Sequence, residues 1–218
     1  MAGPIDEERD IAAILTAAPI VPVLVLDDAP TGIAVARALA AGGMTTIEVT
    51  LRTRAALDVV RAIREAEPDI VVGVGSVRTP AQLSAAALAG AAFAVSPGAS
   101  PKLLDAARGD PLPFLPGAAT ASEAMALAER GYRIQKFFPA VPAGGLDYLA
   151  ALAGPLPELG FCPTGGIDQE NAARFLALAN VIAVGGSWMA PAGMIEAGDW
   201  AGLTERALAA TSLVLSRS

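Results

Sequence analysis

Eight short apolar segments, each followed by an alanine-rich helical one, predict an α/β chain. Eight such units in 218 residues leave room for little besides a single (β/α)8 barrel of the TIM type, here with one extra helix at the amino terminus. Two more observations point the same way. With 54% hydrophobic and 17% charged residues the chain can fill one buried core. Glycines and prolines also fall mostly at the segment boundaries, where barrel turns need them. An open doubly wound sheet is the structural alternative, and one domain is expected over residues 1–218.

A leading helix is expected at 6–16, before a first strand at 21–26. Pro30 and Thr31 then open a helix that runs to 41 and stops at Gly42-Gly43. The next units are strand 46–50 with helix 54–66, and strand 70–75 with helix 80–89, ended by Gly90. Strand 92–96 precedes helix 101–108, and strand 113–115 precedes helix 122–130. The sixth strand, 134–138, is followed by helix 146–153. Strand 160–163 with helix 169–177, and strand 181–184 with a closing helix at 202–216, complete the series.

Composition excludes several classes of function. A net charge of −7 and a pI near 4.6 leave no basic stripe for a nucleic-acid backbone. The uncharged stretches 79–101 and 175–195 are each broken by glycine and proline, so they read as helix, turn and buried strand, and no membrane association is expected. One cysteine permits no internal disulfide, and the acidic residues 1–10 do not resemble a secretion signal, so a cytoplasmic address is expected. Without histidine or paired cysteines, neither a metal site nor a resident cofactor is expected.

The sixth strand carries the anomaly. Ile134-Gln135-Lys136-Phe137-Phe138 places one of only two lysines in the chain, against thirteen arginines, among large hydrophobes. Strand alternation puts Ile134, Lys136 and Phe138 on one face. Burial disfavours an ammonium charge, and a neutral amine is a nucleophile towards carbonyl carbon, so the position suits a Schiff base. A structural lysine paired with a carboxylate or snorkelling to water is the competing reading.

By the same alternation Glu48 shares a face with Thr50 and Arg52 on the second strand. In a chain without histidine it is the best-placed general acid–base, although an ion pair with Arg52 or Lys136 would also satisfy it. Active sites in barrels sit at the carboxyl ends of strands. Ser76, Pro97, Thr164-Gly165-Gly166 and Gly185-Gly186-Ser187 all fall at such ends. The two glycine pairs close the seventh and eighth strands, where this architecture commonly binds phosphate, though turn glycines are also common there. Cys162 reads as a small core residue, and Lys102 as a solvated one at a helix start.

Together Glu48-Val49-Thr50-Leu51-Arg52-Thr53, Val95-Ser96-Pro97-Gly98, Lys136-Phe137-Phe138-Pro139-Ala140, Phe161-Cys162-Pro163-Thr164-Gly165-Gly166-Ile167 and Gly185-Gly186-Ser187-Trp188 resemble the 2-keto-3-deoxy-6-phosphogluconate (KDPG) aldolases, a class I family. The likeness runs over residues 21–191, nearly the whole chain. It implies that Lys136 forms the Schiff base and that cleavage gives pyruvate and glyceraldehyde 3-phosphate. It implies that Glu48 shuttles protons at the C4 hydroxyl and the enamine, and that Arg52 holds the pyruvate carboxylate. Pro97 and Phe138 would wall the pyruvyl end and Thr164 would touch substrate hydroxyls. The Gly165, Gly166, Gly186 and Ser187 backbone would take the phosphate. Ser76 stands where the family usually has threonine, which keeps the hydroxyl for carboxylate binding and loses a methyl. A homotrimer and a place in Entner–Doudoroff carbohydrate metabolism are also implied. Cleavage of 4-hydroxy-2-oxoglutarate is the alternative activity, and a non-catalytic sugar-phosphate-binding barrel is the alternative from another class.

Overall fold

The computed structural model describes residues 6–215, so the ends of the expected domain, part of the acidic amino-terminal stretch and the final residue of the expected closing helix lie outside the described residues. The chain begins with α1 (Asp6–Ala17), β1 (Ile20–Leu24), α2 (Ala29–Ala41), β2 (Thr46–Thr50) and α3 (Ala56–Ala66). It continues with β3 (Val71–Gly75), α4 (Pro80–Leu88), β4 (Phe93–Val95) and α5 (Pro101–Arg108). Next come β5 (Phe114–Leu115), β6 (Gly117–Ala118), α6 (Ala121–Glu129), β7 (Ile134–Phe137) and α7 (Gly145–Leu152). The final elements are β8 (Gly160–Pro163), α8 (Ala172–Leu176), β9 (Val184–Gly186), α9 (Ala192–Glu196) and α10 (Trp200–Leu215).

Every strand pairing is parallel, and the strands follow the orders β5-β4-β3-β2-β1-β9 and β6-β7-β8. β5 falls within the expected fifth strand, 113–115, while β6 lies beyond it and was not expected; the two are separated at Pro116, whose carbonyl accepts from Lys136 N–H at 2.9 Å. Proline cannot donate to a ladder, so the strand changes partner there, from β4 to β7. Isolated bridges Phe161↔Val181 and Thr164↔Gly185 link β8 to the segment that ends in β9. The result is an α/β fold around a curled parallel sheet.

Alternation sorts the side chains into two layers. Ile47, Val49, Val72, Val74, Phe137 and Phe161 face the helices and share one large core. Val21, Phe93, Val95, Leu115, Ile134, Cys162 and Ala183 form a second cluster on the opposite, inward face. Ile11 and Leu15 of α1, each 1% exposed, belong to this second cluster, so α1 covers the inward apolar residues of the strands.

Several boundaries differ from expectation, each for a local reason. The helix expected from 169 begins at Ala172 because the Asp168 carboxylate accepts from Glu170 and Asn171 N–H while Asn171 returns a bond to Asp168 N–H. α6 starts at Ala121 through a capping box between Thr120 and Glu123. The last strand is shifted to Val184–Gly186, since only from Val184 onward does the segment pair with β1, and α9 had no counterpart in the expected series.

Candidate active site

On β7 the inward positions are Ile134 and Lys136, and Gln135 turns outward to donate to Ala124 and Tyr132 carbonyls. Lys136 is thereby driven into the interior by the register of its own strand. Glu48 reaches the same space from β2, and Lys136 Nζ donates to Glu48 Oε1 at 3.4 Å. Both side chains are 6% exposed. The Nζ also stands 5.4 Å from the centroid of the Phe138 ring, where the ring face favours a cation. A buried pair of this kind is weak as a source of stability, because desolvating two charges costs about as much as their attraction returns.

A cavity of about 350 Å³ opens at the carboxyl ends of the strands and is lined by Arg52, Phe138, Thr164, Gly165, Gly166, Gly186 and Ser187, among others. Seven of the nine residues expected to bind substrate are thus assembled on one cavity. Arg52 is the single charged residue in its lining, and it is exposed. Sequence distance hid this: no arginine lies near the glycine loops along the chain, yet the curl of the sheet brings Arg52 into the same cavity.

Ser76 and Pro97 do not line this cavity. Ser76 follows the last residue of β3 with a left-handed φ of 60°. The Pro97 carbonyl lies against Gly117, the residue in register with Lys136, so Pro97 stands one strand away from the lysine. Val23, Val25, Ile167 and Ile195, which sequence reasoning passed over, also line the cavity. Val21, Val23 and Val25 alternate along the chain, and that period of two was the signal available for the first pair.

The glycine pairs have reasons of their own. Gly165 and Gly166 have φ of +100° and +82°, which side-chain-bearing residues rarely adopt. A Cβ on Gly186 would run into the six-membered ring of Trp188, and one on Gly185 would stand 2.5 Å from Thr164 Oγ1. Turn geometry and close contact therefore account for these glycines in full, and a phosphate role for Gly165, Gly166 and Gly186 rests on their place in the cavity lining, which Gly185 does not join.

Cys162 is in register with Lys136 on the neighbouring strand and is fully buried. Burial pushes its thiol up to about 12, with Lys136 lowering and Glu48 raising it by smaller amounts. A native thiol of this kind should not react with a disulfide reagent at neutral pH until the chain unfolds. The unfolded thiol ionises near 9.0 and the folded one near 12, so between these values the unfolded state holds fewer protons and stability falls as pH rises. Thermal melts from pH 8 to 11 should show this decline, and it should be shallower in Cys162→Ala. Equal slopes in the two proteins would remove the thiol from the account.

Comparison with known proteins agrees with this geometry. The family model described as KDPG and KHG aldolase matches residues 11–206. The chain is 46% identical over 194 residues to 2-dehydro-3-deoxy-phosphogluconate aldolase of Pseudoalteromonas atlantica, covering 89% of this chain and 90% of that protein. It is likewise 46% identical over 195 residues to KHG/KDPG aldolase of Escherichia coli, with 89% and 92% covered. A solved KDPG aldolase from Legionella pneumophila, with pyruvate captured as a covalent carbinolamine, superposes with a TM-score of 0.89 at 41% identity, covering 91% of this chain and 96% of that one. Lys136 and Glu48 are not in the cavity lining, but Lys136 stands 5.4 Å from the ring of Phe138, which is. With the family model matched over nearly the whole chain, and with a buried lysine–carboxylate pair beside that ring, the protein belongs to the KDPG and KHG aldolase family.

Proposed function

We propose that the protein is a class I aldolase, a carbon–carbon lyase that cleaves KDPG to pyruvate and glyceraldehyde 3-phosphate. The observation that carries this reading is the buried contact between Lys136 Nζ and Glu48 Oε1, an amine and a proton acceptor held together away from water. Lys136 attacks the C2 ketone, water leaves, and an iminium forms. Glu48 takes the C4 hydroxyl proton, the C3–C4 bond breaks, and its electrons move into the iminium to give an enamine while the aldehyde departs. Protonation of the enamine at C3, from Glu48 and in part through water, and hydrolysis of the imine then release pyruvate. Arg52 holds the substrate carboxylate as a fixed cationic fork, aided by Ser76. Phe138 and Pro97 wall the pyruvyl end, and Thr164 meets the substrate hydroxyls. Backbone N–H groups of Gly165, Gly166, Gly186 and Ser187, together with the Ser187 hydroxyl, take the phosphate.

The same machinery reaches 4-hydroxy-2-oxoglutarate, which lacks the phosphate, and the dual name of the Escherichia coli relative favours keeping this second substrate. Pyruvate release measured with each substrate in turn separates the two. Release from KDPG is the expected result, and no release from it would overturn the reading. Because Gly186 also makes room for the Trp188 ring, the phosphate role is better tested at Ser187. Ser187→Ala should lower kcat/KM for KDPG by about fivefold, the scale of one hydrogen bond of about 1 kcal/mol, and leave 4-hydroxy-2-oxoglutarate unaffected. An equal loss on both substrates would place the phosphate elsewhere.

The sheet is read as a complete (β/α)8 barrel over a single domain, with α1 as the additional helix across its amino-terminal mouth. The β5–β6 continuity at Pro116, the β9–β1 pairing and the two bridges beside β8 support this reading. A homotrimer, a cytoplasmic address and a role in Entner–Doudoroff metabolism complete it, supported by family membership. None of the described helices is long and apolar enough to cross a membrane. No cofactor or metal enters this chemistry, since the iminium itself is the electron sink.

A further inference from the structure

β3 reads Val71-Val72-Gly73-Val74-Gly75, and its outward residues Val72 and Val74 are buried against the helices. Of the three alternate positions, which face inward, Val71 at the amino end packs on the inward cluster, and the other two, Gly73 and Gly75, are glycines. Neither has a left-handed φ, so the backbone alone does not demand glycine at either place. What stands over them does. A Cβ at Gly73 would fall within the ring of Phe93, its register partner on β4. A Cβ at Gly75 would lie 2.5 and 2.7 Å from Cδ and Cγ of Glu48, and closer still to Oε1. Nonbonded carbon atoms rest about 3.5–4 Å apart, so the carboxylate would have to move. The oxygen most crowded is the one that accepts from Lys136 Nζ.

Glu48 itself is in register with Gly73, so its side chain leans along the strand direction to lie over Gly75. From Gly73 onward β3 is therefore a bare wall, and the Glu48 carboxylate rests on it where a side chain of β3 would otherwise stand. We propose that Gly75 is a positioning residue for the aldol reaction: its missing Cβ is the recess that fixes the Glu48 carboxylate at Lys136. This rests on the aldolase reading of Lys136 and Glu48.

The test is a double-mutant comparison. Gly75→Ala should lower kcat on KDPG by about 100-fold, within the worth of a positioned acid–base, with KM nearly unchanged and pyruvate still trapped on Lys136 by borohydride. Glu48→Asp withdraws the carboxylate by one methylene. It should lower kcat in the wild-type background and raise it about tenfold in the Gly75→Ala background, a reversal of sign that independent defects cannot give. Gly73→Ala, whose Cβ meets Phe93 instead, should gain nothing from Glu48→Asp. Losses that simply multiply in the Gly75→Ala, Glu48→Asp protein would overturn the proposal. Should Gly75→Ala fold too poorly to assay, melting temperatures decide. Gly75→Ala should be destabilising beside Glu48 and nearly neutral in Glu48→Ala, where the recess is empty, and equal destabilisation in both overturns the inference. A wild-type enzyme that neither traps pyruvate nor cleaves KDPG would instead refute the aldolase reading, leaving the melts to judge the recess.

Discussion

Lys136→Arg is expected to abolish both borohydride trapping of pyruvate and cleavage of KDPG while the protein remains folded. Arginine preserves a cation opposite Glu48, so the buried carboxylate is not left unpaired, the circumstance that most destabilises such sites. What it removes is the nucleophile, because a guanidinium stays protonated and cannot form the imine. In the wild-type enzyme, peptide mapping after pyruvate and borohydride should find the adduct on Lys136 alone. Lys102, the other lysine, is exposed in the first turn of α5 and offers a natural internal control. An adduct on Lys102, or none on either lysine, would refute the assignment.

Glu48→Gln should lower kcat by roughly 10²–10⁴-fold, the usual worth of a positioned general acid–base. Glutamine matches the shape of glutamate and keeps an oxygen for Lys136, so the recess over Gly75 stays filled and trapping of pyruvate should persist to some extent. Loss of cleavage with retained trapping would separate proton transfer from imine formation. The size of the effect follows from the composition: with no histidine in the chain, few groups can take over the proton. Near-wild-type turnover in Glu48→Gln would mean that another group carries it.

Much of the site could be read along the chain because strands repeat every two residues. That period alone placed Lys136 beside Ile134 and set Glu48 on the inward face of its strand, and the structure finds Gln135 and Phe137 turned the other way. Element boundaries were less legible, because they depend on single side-chain bonds such as those between Asp168 and Asn171, which no periodicity encodes. Gly73 and Gly75 were visible as letters but not as recesses, since the groups that fill them come from β2 and β4.

By itself, then, the sequence determined the alternation of strands and helices, β6 and α9 apart, which residues face inward, and which chemistry those residues can perform, all consequences of local backbone geometry and side-chain type. Only the tertiary structure decided how 88 positions of chain separation between Glu48 and Lys136 close to 3.4 Å, why Arg52 joins the glycine loops at one cavity, and why β3 must present no inward side chain near the carboxylate. These are matters of which strand lies beside which and of the space between their side chains, and that space exists only once the sheet has curled.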